Sequence, residues 1–384
     1  MNSPRIGIVG GGIGGLTLAL ALLRSGLDAT VFEQARQFGR VGADVNLTPN
    51  AVRALDGLGL GEAIRASAAR PTQRLSRRWD TGEITSRIEM SEAAETLYQA
   101  PQLTLHRADL LEALDSALPA GAIRFGKRVS GVASNGNSAR LSFEDGSSAE
   151  FDILIGADGI HSIVRAAMFG QEHPRFTGVV AYRAIVPREK TNVPGLDAFT
   201  KWWGPDPRSQ IVTFPLNHGR EIFIFATTAQ DDWRHESWTQ PGSVDELRAA
   251  YAGFHSEARA LLDACDSVLK TALYEREPLA CWSKGAMTLL GDSCHPMMPF
   301  MAQGAAMAIE DAIVLARSLV QNEAKHPQEA FRRYEGARLD RTRAIQLGSR
   351  KNDWLREGGG ADWVYGYDAW TAALHDDSAR ARAS

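Results

Sequence analysis

The stretch Gly10-x-Gly12-x-x-Gly15 stands directly after a short β-branched run, Ile6-Gly7-Ile8-Val9, and directly before Leu16, Leu20 and Leu23 at helical spacing. In that context each glycine has a task. Gly10 permits a tight turn, Gly12 lets a phosphate approach the backbone, and Gly15 lets the helix pack close to the strand. The helix N-terminus presents unpaired N–H groups and partial positive charge to an anion. A second short run, Ala29-Thr30-Val31-Phe32, ends at Glu33, where a carboxylate can accept hydrogen bonds from ribose hydroxyls. The chemistry these residues suit is the binding of a dinucleotide.

Two further places carry related residue types. Phe151–Ile155 is an apolar run that stops at Gly156-Ala157-Asp158-Gly159. Much later, LLGDSCHPMMPFMAQGAAMAIEDA (289–312) breaks an apolar run at Gly291-Asp292 and opens a helix at Gln303-Gly304-Ala305. The fingerprint alone does not separate FAD from NAD. A second Gly-Asp strand end far downstream does, because FAD has a ribitol and a ring system to hold beyond its pyrophosphate. Asp292 can accept from ribitol hydroxyls, and the helix start at Gly304 and Ala305 can face the flavin edge where charge builds on reduction. FAD is therefore expected as the bound cofactor, and no metal is expected.

The elements that position these residues read as a βαβ unit over roughly the first 33 residues, with Gly26 ending its helix. Residues 102–115 read as a turn and a helix, and 123–155 as strands turning at Asn135-Gly136-Asn137 and Asp145-Gly146. Residues 176–230 are β-rich, 302–320 and about 327–350 are helical, and the aromatic tail at 361–370 is expected to pack down. The fold class is α/β: a discontinuous Rossmann-like FAD-binding domain, a β-sheet substrate domain and C-terminal helices. The boundaries expected are 1–72, 101–172 and 281–325 for the FAD-binding parts, 73–100 and 173–280 for the substrate domain, and 326–384 for the C-terminal helical region.

Composition sets the outer bounds. The chain has 384 residues, 44% hydrophobic and 23% charged, with a formal charge of −4. So mild a balance gives no footprint for nucleic acid or an anionic membrane surface. Cys265, Cys281 and Cys294 are too few and too scattered for a disulfide framework or a zinc site. With no signal-type leader and no apolar stretch of spanning length, a cytoplasmic monomer or homodimer is expected.

Together GGGIGG (10–15) with Glu33, LHRADL (105–110), GADGIHSIVR (156–165) and the 289–312 stretch make the chain resemble the class A flavoprotein monooxygenases, the group of para-hydroxybenzoate and salicylate hydroxylases. The resemblance covers nearly the whole chain. VGADVNLTPNAVRAL (41–55), FTKWWGPD (199–206) and DWVYGYDAW (362–370) are further similar to the hydroxypyridine-hydroxylating branch. What the resemblance implies is an NAD(P)H-dependent hydroxylase of a small aromatic ring, with or without loss of a carboxylate. It implies that NADH or NADPH would reduce the flavin by hydride transfer, and that O2 adding at the flavin C4a carbon would give a hydroperoxide able to hydroxylate the ring. It implies that Arg107 reaches the ribitol and phosphates, that the backbone near Val129 meets the adenine, and that Asp158, with Arg165 nearby, serves the pyrophosphate and nicotinamide docking. It also implies that Pro299 lies beside the flavin near the hydroxylation site.

The substrate pocket is less sharply drawn. Where the hydroxypyridine branch carries histidines, this chain has Asn46 and Phe300. Asn46 can orient a substrate but cannot take up its proton, and Phe300 makes its side of the pocket apolar. Thr213 and Arg208 belong to the polar stretch after KWW; Arg208 either clamps a carboxylate or is a solvated loop residue. Tyr182 reads equally as pocket wall or sheet packing. A tailoring oxygenase acting on a larger apolar ring, and a flavin reductase or redox sensor, stand as alternatives. Trp202 and Trp203 are expected in the core, His106, His161 and His295 in structural roles, and Cys294 as a buried packing residue.

Overall fold

The computed structural model describes residues 3–39, 44–90, 92–237, 239–321, 324, 326–357 and 360–374. The first three residues of the VGADVNL stretch and the end of the tail, 375–384, lie outside them.

Ile6–Val9 is fully buried on both faces, as its continuous apolar run requires, and it occupies the interior of a six-stranded sheet. The order across that sheet is Ser283–Lys284, Met287–Leu289, Ile153–Gly156, Ile6–Val9, Ala29–Phe32 and Ile123–Arg124. Pairing is parallel from Met287–Leu289 through to Ile123–Arg124, with Ile6 opposite both Ile153 and Ala29. Four neighbouring parallel strands thus end on the same edge. Within three residues beyond those ends stand Gly291-Asp292, Asp158, Gly10 and Glu33. Stretches far apart in sequence become adjacent because each follows a strand of one parallel sheet, and the crevice beyond the carboxyl ends of such strands is where α/β folds bind ligands.

The helices Ile13–Arg24 and Gly304–Gln321 cover this sheet and pack tightly on each other. Gly14 lies at this contact: a Cβ there would lie 2.4 Å from the tip of the Leu290 side chain and 3.2 Å from Ala308 Cβ. Helix Pro327–Lys351 then packs along Gly304–Gln321.

A second, seven-stranded sheet runs Leu269–Glu275, Arg175–Pro187, Glu221–Ala229, Gln210–Leu216, Phe199–Trp203, Gln73–Arg78 and Ile84–Glu89. One face carries Tyr182, Trp202, Ile211 and Ile224 against the helices Val244–Ala250 and Ser256–Asp263. The other carries Phe199, Val212, Phe214, Phe223 and Phe225, and it meets Met298 and Phe300 from the FAD-binding side. Period-two alternation along each strand makes the two faces distinct.

The reading of 102–115 needs one correction. Leu103–His106 is a strand, antiparallel to Asp44–Leu47, and only Arg107–Ser116 is helical. Four residues are too few for periodicity to declare a strand, and its partner lies some sixty residues earlier. The tail does pack: Tyr365 is buried edge-on to Tyr98, and Trp370 Nε1 donates to the Ala54 carbonyl.

Candidate active site

The glycine turn is shaped by close approach. Gly10 has φ +106°, and a Cβ on it would lie 2.3 Å from the Ala157 carbonyl oxygen; one on Gly15 would lie 2.1 Å from the Gly10 carbonyl oxygen. Gly12 differs. A Cβ there would meet only Arg107 Nη2, at 3.9 Å, so its backbone faces open space next to a cation. The Glu33 carboxylate accepts from the Gly11 N–H at 2.8 Å and the Ala35 N–H at 2.8 Å, which fixes it beside the turn with lone pairs to spare. The segment leading to Val129 is tied to the same strand end, with the Lys127 N–H donating to the Glu33 carbonyl and the Gly126 N–H to that of Ala35.

Arg107 begins its helix, half-buried, with no carboxylate paired to it among the described residues. Burial pulls its pKa down, while Glu33 and Asp292 on either side oppose that shift. Asp292 stands in the turn Gly291–Ser293, where Gly291 takes φ +61° beneath Ala308. Its side chain is exposed, yet many protein atoms lie around it. That surrounding pushes its carboxyl pKa up, against the pull of His295 and Arg107. Gly304 and Ala305 open the long helix half-buried, and a Cβ on Gly304 would meet nothing within 4 Å.

Asp158 has a different situation from the one its motif suggests. Its carboxylate accepts from Ser162 Oγ at 2.5 Å, Ile163 N at 2.8 Å, Val164 N at 3.2 Å and Ser293 Oγ at 3.2 Å. It caps the Ile163–Phe169 helix and ties the second motif to the third. Arg165 is buried, paired with Glu172 and bonded to the Ser293 and Cys294 carbonyls.

Beneath the Gly304 helix start lies a buried polar network. Arg338 Nε donates to Asp311 at 2.7 Å and its Nη1 to Glu310 at 2.5 Å, while Arg341 Nε also reaches Glu310 at 2.8 Å. Two carboxylates face two guanidinium groups, so the charges balance. Asn50 bridges Glu310 and Gln303, and Gln303 donates to Thr48 at 2.9 Å, which locks the helix start to the N-terminal part of the chain. His295 Nε2 lies 2.5 Å from Asp311. Cys294, His295 and Asp311 bring three potential ligand atoms within 4.8 Å, but Arg338 already neutralises that carboxylate. A hydrogen-bonded network accounts for the group without a metal. The Cys294 thiol is pushed well up by burial, in keeping with a packing residue.

On the substrate side the structure selects among the sequence candidates. Phe300 joins the phenylalanine-rich face of the large sheet, and exposed Pro299 stands next to it at the cleft. Asn46 is buried; its Oδ1 accepts from Gln102 Nε2 at 2.6 Å, while its Nδ2 has no partner among the described residues. Tyr182 takes the sheet-packing position of its two readings, and Thr213 shares that face. Tyr182 lies on the helix-covered face, its hydroxyl accepting from Gln230 Nε2 at 3.2 Å. Thr213 pairs with Ile224 on that same face, between Val212 and Phe214, which point the other way. A one-residue step along a strand reverses the side chain, and composition gives no sign of which face is inward. Of the two readings of Arg208 the loop one fits: it is half-exposed on a turn and paired with Asp206. Two residues missed by sequence reasoning lie on the inner face, Lys201 and Arg74. The available signal was a lysine inside the otherwise apolar FTKWW strand.

FAD fits these residues. Open space at Gly12 and Gly304, an Arg107 with no carboxylate paired to it among the described residues and an exposed Asp292 suit an anionic diphosphate followed by a polyol and a ring. Fold and site together define a flavoprotein with a discontinuous dinucleotide-binding domain. The family model described as an FAD binding domain matches residues 4–347. The chain is 40% identical to the 6-hydroxynicotinate 3-monooxygenase of Bordetella bronchiseptica, with 97% of each chain covered. It is 35% identical to the 3-hydroxybenzoate 6-hydroxylase of Polaromonas naphthalenivorans, with 94% of this chain and 90% of that one covered. Among solved structures, a salicylate hydroxylase substrate complex superposes with a TM-score of 0.81 at 28% identity, covering 96% of each chain. The chain belongs to this FAD-binding family and is an NAD(P)H-dependent flavoprotein aromatic monooxygenase. Among the described residues no helix is long and apolar enough to cross a membrane.

Proposed function

We propose that the substrate is a single hydroxylated ring, a phenol or hydroxypyridine, held between Phe300 and the inner face of the seven-stranded sheet. The observation that carries this reading is that face itself, where Phe199, Phe214, Phe223 and Phe225 gather around Met298 and Phe300 from the flavin-holding segment. Aromatic walls suit a flat ring at a domain interface and keep water from the reacting atoms. The chemistry FAD supplies when bound is acceptance of a hydride from NADH or NADPH and transfer of one oxygen atom of O2. The chain's own residues bind the ring, aim it and exclude water. Asn46 Nδ2 and Gln102 Oε1 offer one donor and one acceptor without partners among the described residues, a set that can orient a ring hydroxyl. The named relatives act on a hydroxypyridine carboxylate and a hydroxybenzoate, which supports the same ring class.

The test is reduction of the purified holoenzyme by NADH in the presence of hydroxybenzoates, hydroxypyridines and larger phenols, with products identified by mass spectrometry. At least one single-ring compound is expected to accelerate reduction and to gain one oxygen atom. Acceleration and product only with multi-ring phenols would replace the single-ring reading with the larger-ring one. No product from any of them would overturn the proposal.

A further inference from the structure

Arg74 and Lys201 lie on adjacent parallel strands of the large sheet, in the register Phe199–Arg74 and Lys201–Ser76, so all four side chains share the inner face. Both cations are at least nine-tenths buried, at 5% and 3% exposure. Arg74 stacks between Phe199 and Trp354, with its guanidinium carbon 4.6 and 4.9 Å from the two ring centroids, and one N–H donates to Tyr365 Oη at 3.3 Å. Lys201 Nζ donates to Asn352 Oδ1 at 2.5 Å, and lies 3.7 Å from the Trp203 ring centroid and 5.8 Å from that of Phe300. Every one of these partners is neutral. Among the described residues no carboxylate pairs with either cation. Elsewhere the protein obeys the usual rule, as the balanced Arg338 and Arg341 network shows.

Two buried, adjacent and acid-free cations are costly unless an anion joins them. Resting on the aromatic-substrate reading above, we infer that Arg74 and Lys201 form the anion subsite of the substrate chamber, receiving a carboxylate borne by the ring, with Asn352, Trp354 and Tyr365 as its outer wall. The guanidinium supplies a planar fork held by its two flanking rings, and the ammonium supplies a point charge. The distance from Lys201 to Phe300 places this charge at the edge of the aromatic face. The environment agrees. Burial holds the Lys201 ammonium well below its usual range, as do Arg74 and exposed Arg356, and Asp353 opposes them only in part. An anion between the two cations reverses that balance. The assignment also gives the aromatic C-terminal segment a part in selecting substrate.

The wild-type holoenzyme gives a first test without any variant. Flavin absorbance is titrated with salicylate, its neutral isostere salicylamide, and phenol. Salicylate is expected to bind roughly thirtyfold or more tighter than salicylamide. In Lys201→Met and Arg74→Gln that preference should shrink to within a few-fold of unity, with phenol binding little changed, while Lys201→Arg should keep most of it. Bound flavin, checked by its spectrum, controls for folding. Equal wild-type affinity for salicylate and salicylamide would overturn the subsite, as would a preference that survives both charge-removing variants. If neutral phenols bind and are hydroxylated while acids are ignored, only the subsite falls. If no ring of any kind perturbs the flavin, the aromatic-substrate reading falls with it.

Discussion

At the scale of single residues, the site depends on where a charge is left without a protein partner. Arg107 and Asp292 lie within each other's field, and on the reading proposed above each would meet the cofactor, Arg107 its phosphates and Asp292 its polyol. Replacing Asp292 with Ala removes a charged acceptor worth about 1.5–3 kcal/mol. Flavin affinity, measured by equilibrium dialysis or fluorescence quenching, should weaken by about tenfold to a hundredfold. Unchanged affinity would show that the carboxylate does not touch the cofactor. Tyr182 provides the opposite case. Its hydroxyl meets Gln230 on the helix-covered face, so Tyr182→Phe should cost about 1 kcal/mol of stability in urea unfolding and leave kcat and KM for the identified substrate within about twofold. A large change in KM alone would return Tyr182 to the pocket.

At the scale of elements, glycines set how closely strand, turn and helices meet, and the atoms they meet decide how far substitution is tolerated. A methyl group on Gly15 would strike the Gly10 carbonyl oxygen at 2.1 Å, and backbone cannot step aside. One on Gly14 would strike the tip of the Leu290 side chain at 2.4 Å, which can rotate, and helix propensity favours alanine there by about 1 kcal/mol. Gly15→Ala should therefore lower the melting temperature and the flavin content together, whereas Gly14→Ala should retain most of both. Thermal unfolding followed by flavin fluorescence separates the two; equal losses would show that the 14–15 region is not under the packing constraint described.

At the scale of the whole molecule, one buried ion network holds helix Pro327–Lys351, helix Gly304–Gln321 and the N-terminal segment in fixed relation. Arg338 lies at its centre, fully buried between Glu310 and Asp311. Arg338→Met would remove the guanidinium shared by two buried carboxylates and leave Glu310 to Arg341 and Asp311 to His295, a loss of about 3 kcal/mol. Chemical denaturation should show that loss, with flavin release preceding global unfolding. A variant as stable as the parent would mean the network is not what fixes the helix start.

The sequence by itself determined the local machinery: the βαβ unit with its glycine turn and Glu33, the Asp292 turn, and the helix opening at Gly304. Each of these was legible because strand ends, turn glycines and helix starts are written in local composition and spacing, although distant partners, Ala157 at Gly10 and Thr48 with Asn50 at Gln303, hold them in place. Tertiary structure alone decided what depends on pairing between distant strands. It made Leu103–His106 a strand, turned Tyr182 and Thr213 outward, and brought Arg74 to the same sheet face as Lys201. The reason is geometric: a strand's side chains alternate with a period of two, so which half faces the ligand is fixed only when the sheet meets its covering layers.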